Sequence, residues 1–300
     1  MNPVGVAAGL ATAVSWAACA MFFTSASRRI GAFSMNNWRV LFGTVLLLIA
    51  HTAIFGRIWP AAGSRELGLL VASGLIGVVI GDLFLFQSYM DIGPRLGILI
   101  FNVNPFMIAL LAWPILGEKL KLTAWFGMVI TIAGSVWVLS EEEAGEKKVK
   151  SPHYARGVTF AIFAAACQAV GYTIAKPAML GPTGIDPLSA TLIRVATAVA
   201  GFWLISLLMG QTKKVLADFK NRKAMLYLFG GAITGPFIGI WLSLTALKLI
   251  PAGIAATLIA TMPVLILPFV IFFYKERVSW RAAIGAAIAV AGVAILANMS

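Results

Sequence analysis

Apolar runs of about twenty residues, parted by short polar gaps, recur along the chain from residue 4 to residue 297. A helix needs about 20 mostly apolar residues to cross about 30 Å of hydrocarbon. Ten segments meet that requirement, near 4–24, 36–55, 67–90, 95–116, 122–139, 156–175, 187–209, 224–247, 251–273 and 279–297. The pattern predicts an all-α integral membrane protein with ten transmembrane helices. One gap stands out: "SEEEAGEKKVKSPHYAR" (140–156) is too charged to stay in lipid. It divides the chain into residues 1–139, a linker at 140–155, and residues 156–300, with five spans in each half.

The halves are related to each other. Shifted by 158 positions, 74–139 aligns with 232–297 without a gap. Gly77 then meets Gly235, Gly81 meets Gly239, Pro105 meets Pro263, Glu118 meets Glu276, Gly127 meets Gly285 and Gly134 meets Gly292. Arg39 falls opposite Arg194 at the similar offset of 155. Glycine and proline matches arise by chance in apolar sequence. A shared glutamate, in "GEKL" and in "KERV", with proline thirteen residues before it, does not arise so easily. Because five is odd, the two halves must cross the membrane in opposite directions. Such inverted repeats are the plan of many secondary transporters, which bind substrate near the midplane between the repeats.

Composition agrees with a membrane protein. The chain is 60% hydrophobic and 11% charged, with a mean hydropathy of +0.94. Soluble domains are typically about 45–50% apolar and about 25% charged. The net charge of +12 does not point to nucleic acid, because the basic residues lie in the gaps between apolar runs. Cys19 and Cys167 sit in apolar runs outside any CxxC motif, and His51 and His153 are isolated. No disulfide framework, metal site or cofactor is therefore expected. The N-terminus lacks the basic region of a cleavable signal peptide.

The pattern "P…LGEKL…G……G" (Pro105, Gly117, Glu118, Gly127, Gly134), repeated as "P…YKERVS…G……G" (Pro263, Glu276, Gly285, Gly292), resembles the EamA-type drug/metabolite transporter superfamily. The resemblance covers nearly the whole chain. It implies export of a small polar metabolite, commonly an amino acid or related compound. It also leaves open organic or sugar phosphates, nucleotide sugars and cationic drugs. Small four-helix relatives that export cationic drugs carry a glutamate in the first span. Here that span, "VGVAAGLATAVSWAACAMFFT", has no acid, so their mechanism is not carried over. A structural or channel-like scaffold competes with this reading but has no discriminating motif, and the inverted repeat argues against it; the other competing class is a membrane-embedded enzyme. It would call for acid clusters, H-E-x-x-H or a nucleophile with its base, and no such motif is present; nor is a Walker A motif. The expected location is the inner membrane of a bacterium, the expected partners are lipid and a small-molecule substrate, and the expected state is monomer or homodimer.

Loop charge and resemblance imply opposite orientations. The odd-numbered loops carry fifteen of the 23 basic residues and the even loops six. Positive-inside reasoning therefore places the odd loops in the cytoplasm and both termini outside. The resemblance implies cytoplasmic termini.

Ionisable residues inside spans cost about 2.5–3.5 kcal/mol each on insertion scales and are functional candidates by default. Asp82, in "VVIGDLFLFQSYMDIG" (78–93), lies about 12 Å from the exit end of span 3. Arg39 enters span 2 from the same side, so a 39–82 ion pair is feasible; it could lock helices together or couple to substrate or protons. Arg194 enters span 7 with no acid in the spans of its own half, and either snorkels to the interface or meets an anionic substrate group. In the second repeat Ile240 stands where Asp82 stands in the first. "FNVNPF" (101–106) places Asn102 and Asn104 beside Pro105, whose ring frees a backbone carbonyl in span 4. Trp16, Gln87, Tyr89, Gln168, Tyr172 and Trp241 offer hydrogen bonds or stacking, or else anchor helices at the membrane surface. Glu118 and Glu276, beside Lys119 and Arg277, are expected to pin turns between spans.

Overall fold

The computed structural model describes residues 1–140, 152–267 and 279–298. Among these every regular element is helical. Eight helices are long and apolar enough to cross a membrane: α1 (Pro3–Phe55), α2 (Ser64–Ile92), α3 (Pro94–Leu116), α4 (Leu122–Ser140), α5 (Tyr154–Met179), α6 (Pro187–Leu208), α8 (Arg222–Leu249) and α10 (Trp280–Ala297). Between them lie the short α7 (Thr212–Asp218) and the shorter apolar α9 (Ala252–Leu265). Residues 268–273 of the ninth expected span, together with Glu276 and Arg277, lie outside the described residues.

The helices start where cap chemistry allows. Asn2 accepts hydrogen bonds from the Val4 and Gly5 amides at the head of α1. Asp186 does the same for Leu188 and Ser189 in α6, with Pro187 at the first helical position, and Ser279 accepts from Ala282 in α10.

Hydropathy predicts a polar connection over 25–35, but the chain stays helical there except at Gly31. Polarity in that stretch reports exposure to water, and residues such as Arg28, Arg29 and Met35 are also competent helix formers. Gly31 adopts φ 80° and ψ 157°, a region open essentially only to glycine. In an unbroken helix residues 23 and 39 would lie about 24 Å apart. The Arg39 guanidinium instead lies 5.7 Å from the Phe23 ring, so the two arms of α1 fold back on each other at Gly31. Gly93, at φ 84° and ψ 152°, makes the equivalent link between α2 and α3.

Two helices widen at matching places. α2 runs through a π-helical stretch at Gly74–Ile80, and α8 through one at Ile233–Gly239. Such stretches are rare and are frequent at functional sites. Each packs against a helix of the other half through a serine and a glycine. Ser73 Oγ donates to the Gly171 carbonyl at 2.6 Å, and a methyl on Gly171 would stand 2.8 Å from Gly77 Cα. Ser15 Oγ donates to the Thr234 carbonyl at 2.7 Å, and a methyl on Gly235 would meet Cys19 Sγ at 2.6 Å. Small residues and interhelical hydrogen bonds hold helices together where lipid removes the hydrophobic drive between them.

The last helices of the halves, α4 and α10, touch backbone to backbone. A methyl on Gly134 would stand 2.6 Å from the Gly285 carbonyl oxygen, and one on Gly292 would stand 2.5 Å from the Thr131 amide and 2.9 Å from the Gly127 carbonyl oxygen. Rising residue numbers in one helix meet falling numbers in the other, so the pair is antiparallel. Cys19 and Cys167 are both free and buried. His51 is an interface histidine: Nε2 lies 2.9 Å from Ser189 Oγ and Nδ1 lies 2.8 Å from the Arg57 carbonyl oxygen.

Candidate functional site

Asp82 follows the π-helical stretch of α2 by two residues, and Arg39 lies eight residues beyond the Gly31 break in α1. The two side chains form an ion pair, donated by Arg39 Nη2 to Asp82 Oδ2. The pair that the sequence left feasible is therefore made. Arg39 is 5% exposed at its side chain and Asp82 22%, so the carboxylate retains an open side that the guanidinium lacks. Phe23 and Phe86 each lie 5.7 Å from the guanidinium carbon. Their rings hold it in place by cation–π contact. Tyr89 continues the same face of α2, its ring 5.6 Å from that of Phe86, and lies within electrostatic reach of the pair.

A second group forms on α5 and α6. Arg194 is 1% exposed and its guanidinium carbon lies 5.2 Å from the Tyr172 ring. It does not snorkel. Gln168 approaches from α5: a methyl on Gly77 would stand 3.3 Å from Arg194 Nη2 and 3.5 Å from Gln168 Oε1. Asp82 lies within electrostatic reach of Arg194 as well as Arg39. Arg39 and Asp82 from the first half and Arg194, Tyr172 and Gln168 from the second therefore converge on one buried, net-positive cluster.

Other expected residues sit elsewhere. Gln87 is exposed, and its Nε2 donates to Asp91 Oδ1 at 3.1 Å. Asp91 in turn accepts from Arg156 Nε and Nη2 at 2.8 and 2.7 Å, forming a two-point ion pair at one end of the bundle. Trp16 covers Gly239, and Trp241 stacks on Phe237 with ring centroids 6.1 Å apart. Asn102 is buried at the break that separates the two pieces of α3, with its Nδ2 unpartnered, while Asn104 opens the second piece. The freed backbone expected at Pro105 is a real helix break, and a matching one at Ala260–Thr261 precedes Pro263.

One ion pair carries no signal in the sequence. Glu118 binds Lys176 at 2.5 Å rather than its neighbour Lys119, and its other oxygen accepts from the Ala252 amide at 2.7 Å. Lys176 also donates to the Ile250 carbonyl at 2.6 Å and is 4% exposed, although its sequence position reads as a loop. Glu118 thus pins the turn after α3 to α5 and α9 of the other half. Lys176→Met removes the pair while Glu118 keeps its amide donor. It should lower unfolding stability by about 1.5–3 kcal/mol, measured by thermal unfolding of the purified protein.

The EamA-like transporter family matches residues 3–140 and 155–298. The chain belongs to this family. It is 24% identical over 293 residues to an uncharacterized transporter of Archaeoglobus fulgidus, covering 96% of this chain and 95% of that one. A crystal structure of a protein at 18% identity superposes with a TM-score of 0.75 over 99% of this chain and 97% of the other, and shows the fold alone. This EamA-family member is accordingly an integral, multi-pass membrane transporter. Its ion-paired cluster lies among helices drawn from both of the matched segments.

Proposed function

We propose that this protein is a secondary transporter of a small polar metabolite, an amino acid or a related compound. In this reading, two five-helix repeats of opposite orientation alternate access around the Arg39–Asp82–Arg194 cluster. The observation that carries it is the cluster itself: three ionisable residues at membrane depth, drawn from both halves, one of them two residues past the π-helical stretch of α2. A lone charge there would be costly, and charges retained at such depth mark substrate and ion pathways. Two cationic groups and one carboxylate, the latter partly open, suit a ligand with an acidic end and a basic or polar remainder.

The α4–α10 crossing supports the inverted arrangement. Under the offset of 158, Gly127 and Gly134 are the mates of Gly285 and Gly292. Gly134 meets Gly285 while Gly292 meets Gly127, so each helix offers its partner the same surface. Reciprocal contacts of this kind belong to a two-fold axis. For two antiparallel spanning helices that axis lies in the plane of the membrane. The breaks before Pro105 and Pro263 obey the same offset, and the two π-helical stretches match it to within one residue.

Purified protein reconstituted into liposomes tests the function by counterflow of radiolabelled substrates. Exchange of at least one amino acid, absent from empty vesicles, is expected. Exchange of a sugar phosphate or of tetraphenylphosphonium alone would overturn the substrate class, and no exchange of any solute would overturn the transport reading. The proposed location is the plasma membrane of a bacterium. For orientation we take the family's cytoplasmic termini: a fluorescent reporter fused to the C-terminus should fold and emit in the cytoplasm, and a dark fusion with an active periplasmic reporter reverses the assignment.

A further inference from the structure

We propose that Arg194 is an anion-binding subsite of the transporter, shaped to take the planar carboxylate of its substrate; this rests on the transport reading above. Three basic residues are buried among the described residues: Arg39, Lys176 and Arg194. Arg39 has Asp82 and Lys176 has Glu118. Among the described residues Arg194 has no carboxylate within ion-pair distance, and its Nε and Nη1 have no hydrogen-bond partner. A lysine in such a place could shed its proton, but a guanidinium keeps its charge in proteins. An unpaired buried charge is strongly destabilising. The position is therefore completed by an anion from outside the chain.

The surroundings restrict how that anion binds. Tyr172 covers one face of the guanidinium at 5.2 Å, leaving its edges as the polar direction. Each edge of a guanidinium presents two parallel N–H donors, Nε with Nη2 or Nη1 with Nη2, and two parallel donors match the two oxygens of a carboxylate. Nη2 is turned toward Gly77, whose missing side chain lets the guanidinium approach α2 closely, and the Gln168 carbonyl oxygen lies alongside. Asp82, within electrostatic reach, disfavours a multiply charged anion and favours a ligand that carries a positive group next to its carboxylate. That combination describes an α-amino acid better than inorganic phosphate or a phosphate ester.

Isothermal titration in lipid-free detergent micelles tests the assignment on the full chain. The probes are L-alanine, L-phenylalanine and L-glutamate, each paired with its α-carboxamide, with inorganic phosphate as a separate arm. At least one acid should bind at least about 10-fold more tightly than its carboxamide. Arg194→Gln should weaken the acid by about 10- to 100-fold, the worth of charge-assisted hydrogen bonds, and leave the carboxamide unchanged. Arg194→Lys, which keeps the charge but loses the fork, should fall between the two and serves if the glutamine variant does not fold. A merely structural arginine would lower acid and carboxamide together, and that result overturns the proposal. So does binding of none of the acids, or Arg194-dependent binding of inorganic phosphate alone. Arg194-dependent binding without transport in vesicles would remove the transport reading and keep the subsite. Amino-acid transport with unchanged affinity in Arg194→Gln would do the reverse.

Discussion

Asp82→Asn should both destabilise the protein and stop transport. Removing the carboxylate leaves Arg39 and Arg194 as two buried cations with no acid between them. Breaking one partner of a buried pair costs about 3–5 kcal/mol, and the 22% exposure of Asp82 places the effect near the lower end. The double variant Arg39→Gln with Asp82→Asn removes the unbalanced charge at residue 39 and should recover most of that stability, since replacing a whole buried pair is often nearly neutral. Transport should stay lost in the double variant. Thermal unfolding in detergent reads the first quantity and liposome counterflow the second. A double variant that transports at the original rate would leave the pair as a lock between helices and nothing more.

Gly134→Leu should prevent the two halves from docking. Even a single methyl there would stand 2.6 Å from the Gly285 carbonyl oxygen and 2.8 Å from Ala289 Cα, and backbone atoms have no rotamer in which to retreat. Overpacking typically costs about 1–3 kcal/mol, and four additional heavy atoms against backbone should exceed that. The expected result is loss of the monodisperse peak on size exclusion after solubilisation. Gly68 offers the contrast: it is on α2, nothing lies within 4 Å of its added methyl, and Gly68→Ala should elute and melt like the parent. Equal behaviour of both variants would mean that α4 and α10 do not hold the halves together.

The charged residues of the cluster were legible in the sequence because lipid makes charge conspicuous. Asp82, Arg39 and Arg194 interrupt apolar runs, and counting residues from the helix ends put Asp82 and Arg39 on the same side of the membrane, close enough for a pair to be feasible. The Gly31 reversal was less legible. Hydropathy marks where a chain meets water, and a helix that turns at a single glycine keeps its hydrogen bonds on both sides. Glu118 with Lys176 could not be read at all, because local spacing offers Lys119 as the nearer base. Their partnership depends on two turns from different halves arriving at one point. Gln87, which the sequence places on the helix of Asp82, instead donates to Asp91, which is itself paired with Arg156.

By itself the sequence determined that the chain is helical and spans a membrane, because apolar runs of that length leave backbone polar groups no partners except their own. It also determined that its halves repeat, since the glycines, prolines and glutamates recur at one offset. Only the tertiary structure decided which surfaces the repeat brings together: glycine against glycine where α4 crosses α10, and Arg194 beside Tyr172 and Gln168 with no acid of its own. The physical reason is that periodicity specifies the face of a helix, whereas contact depends on the crossing geometry of helices distant in the chain.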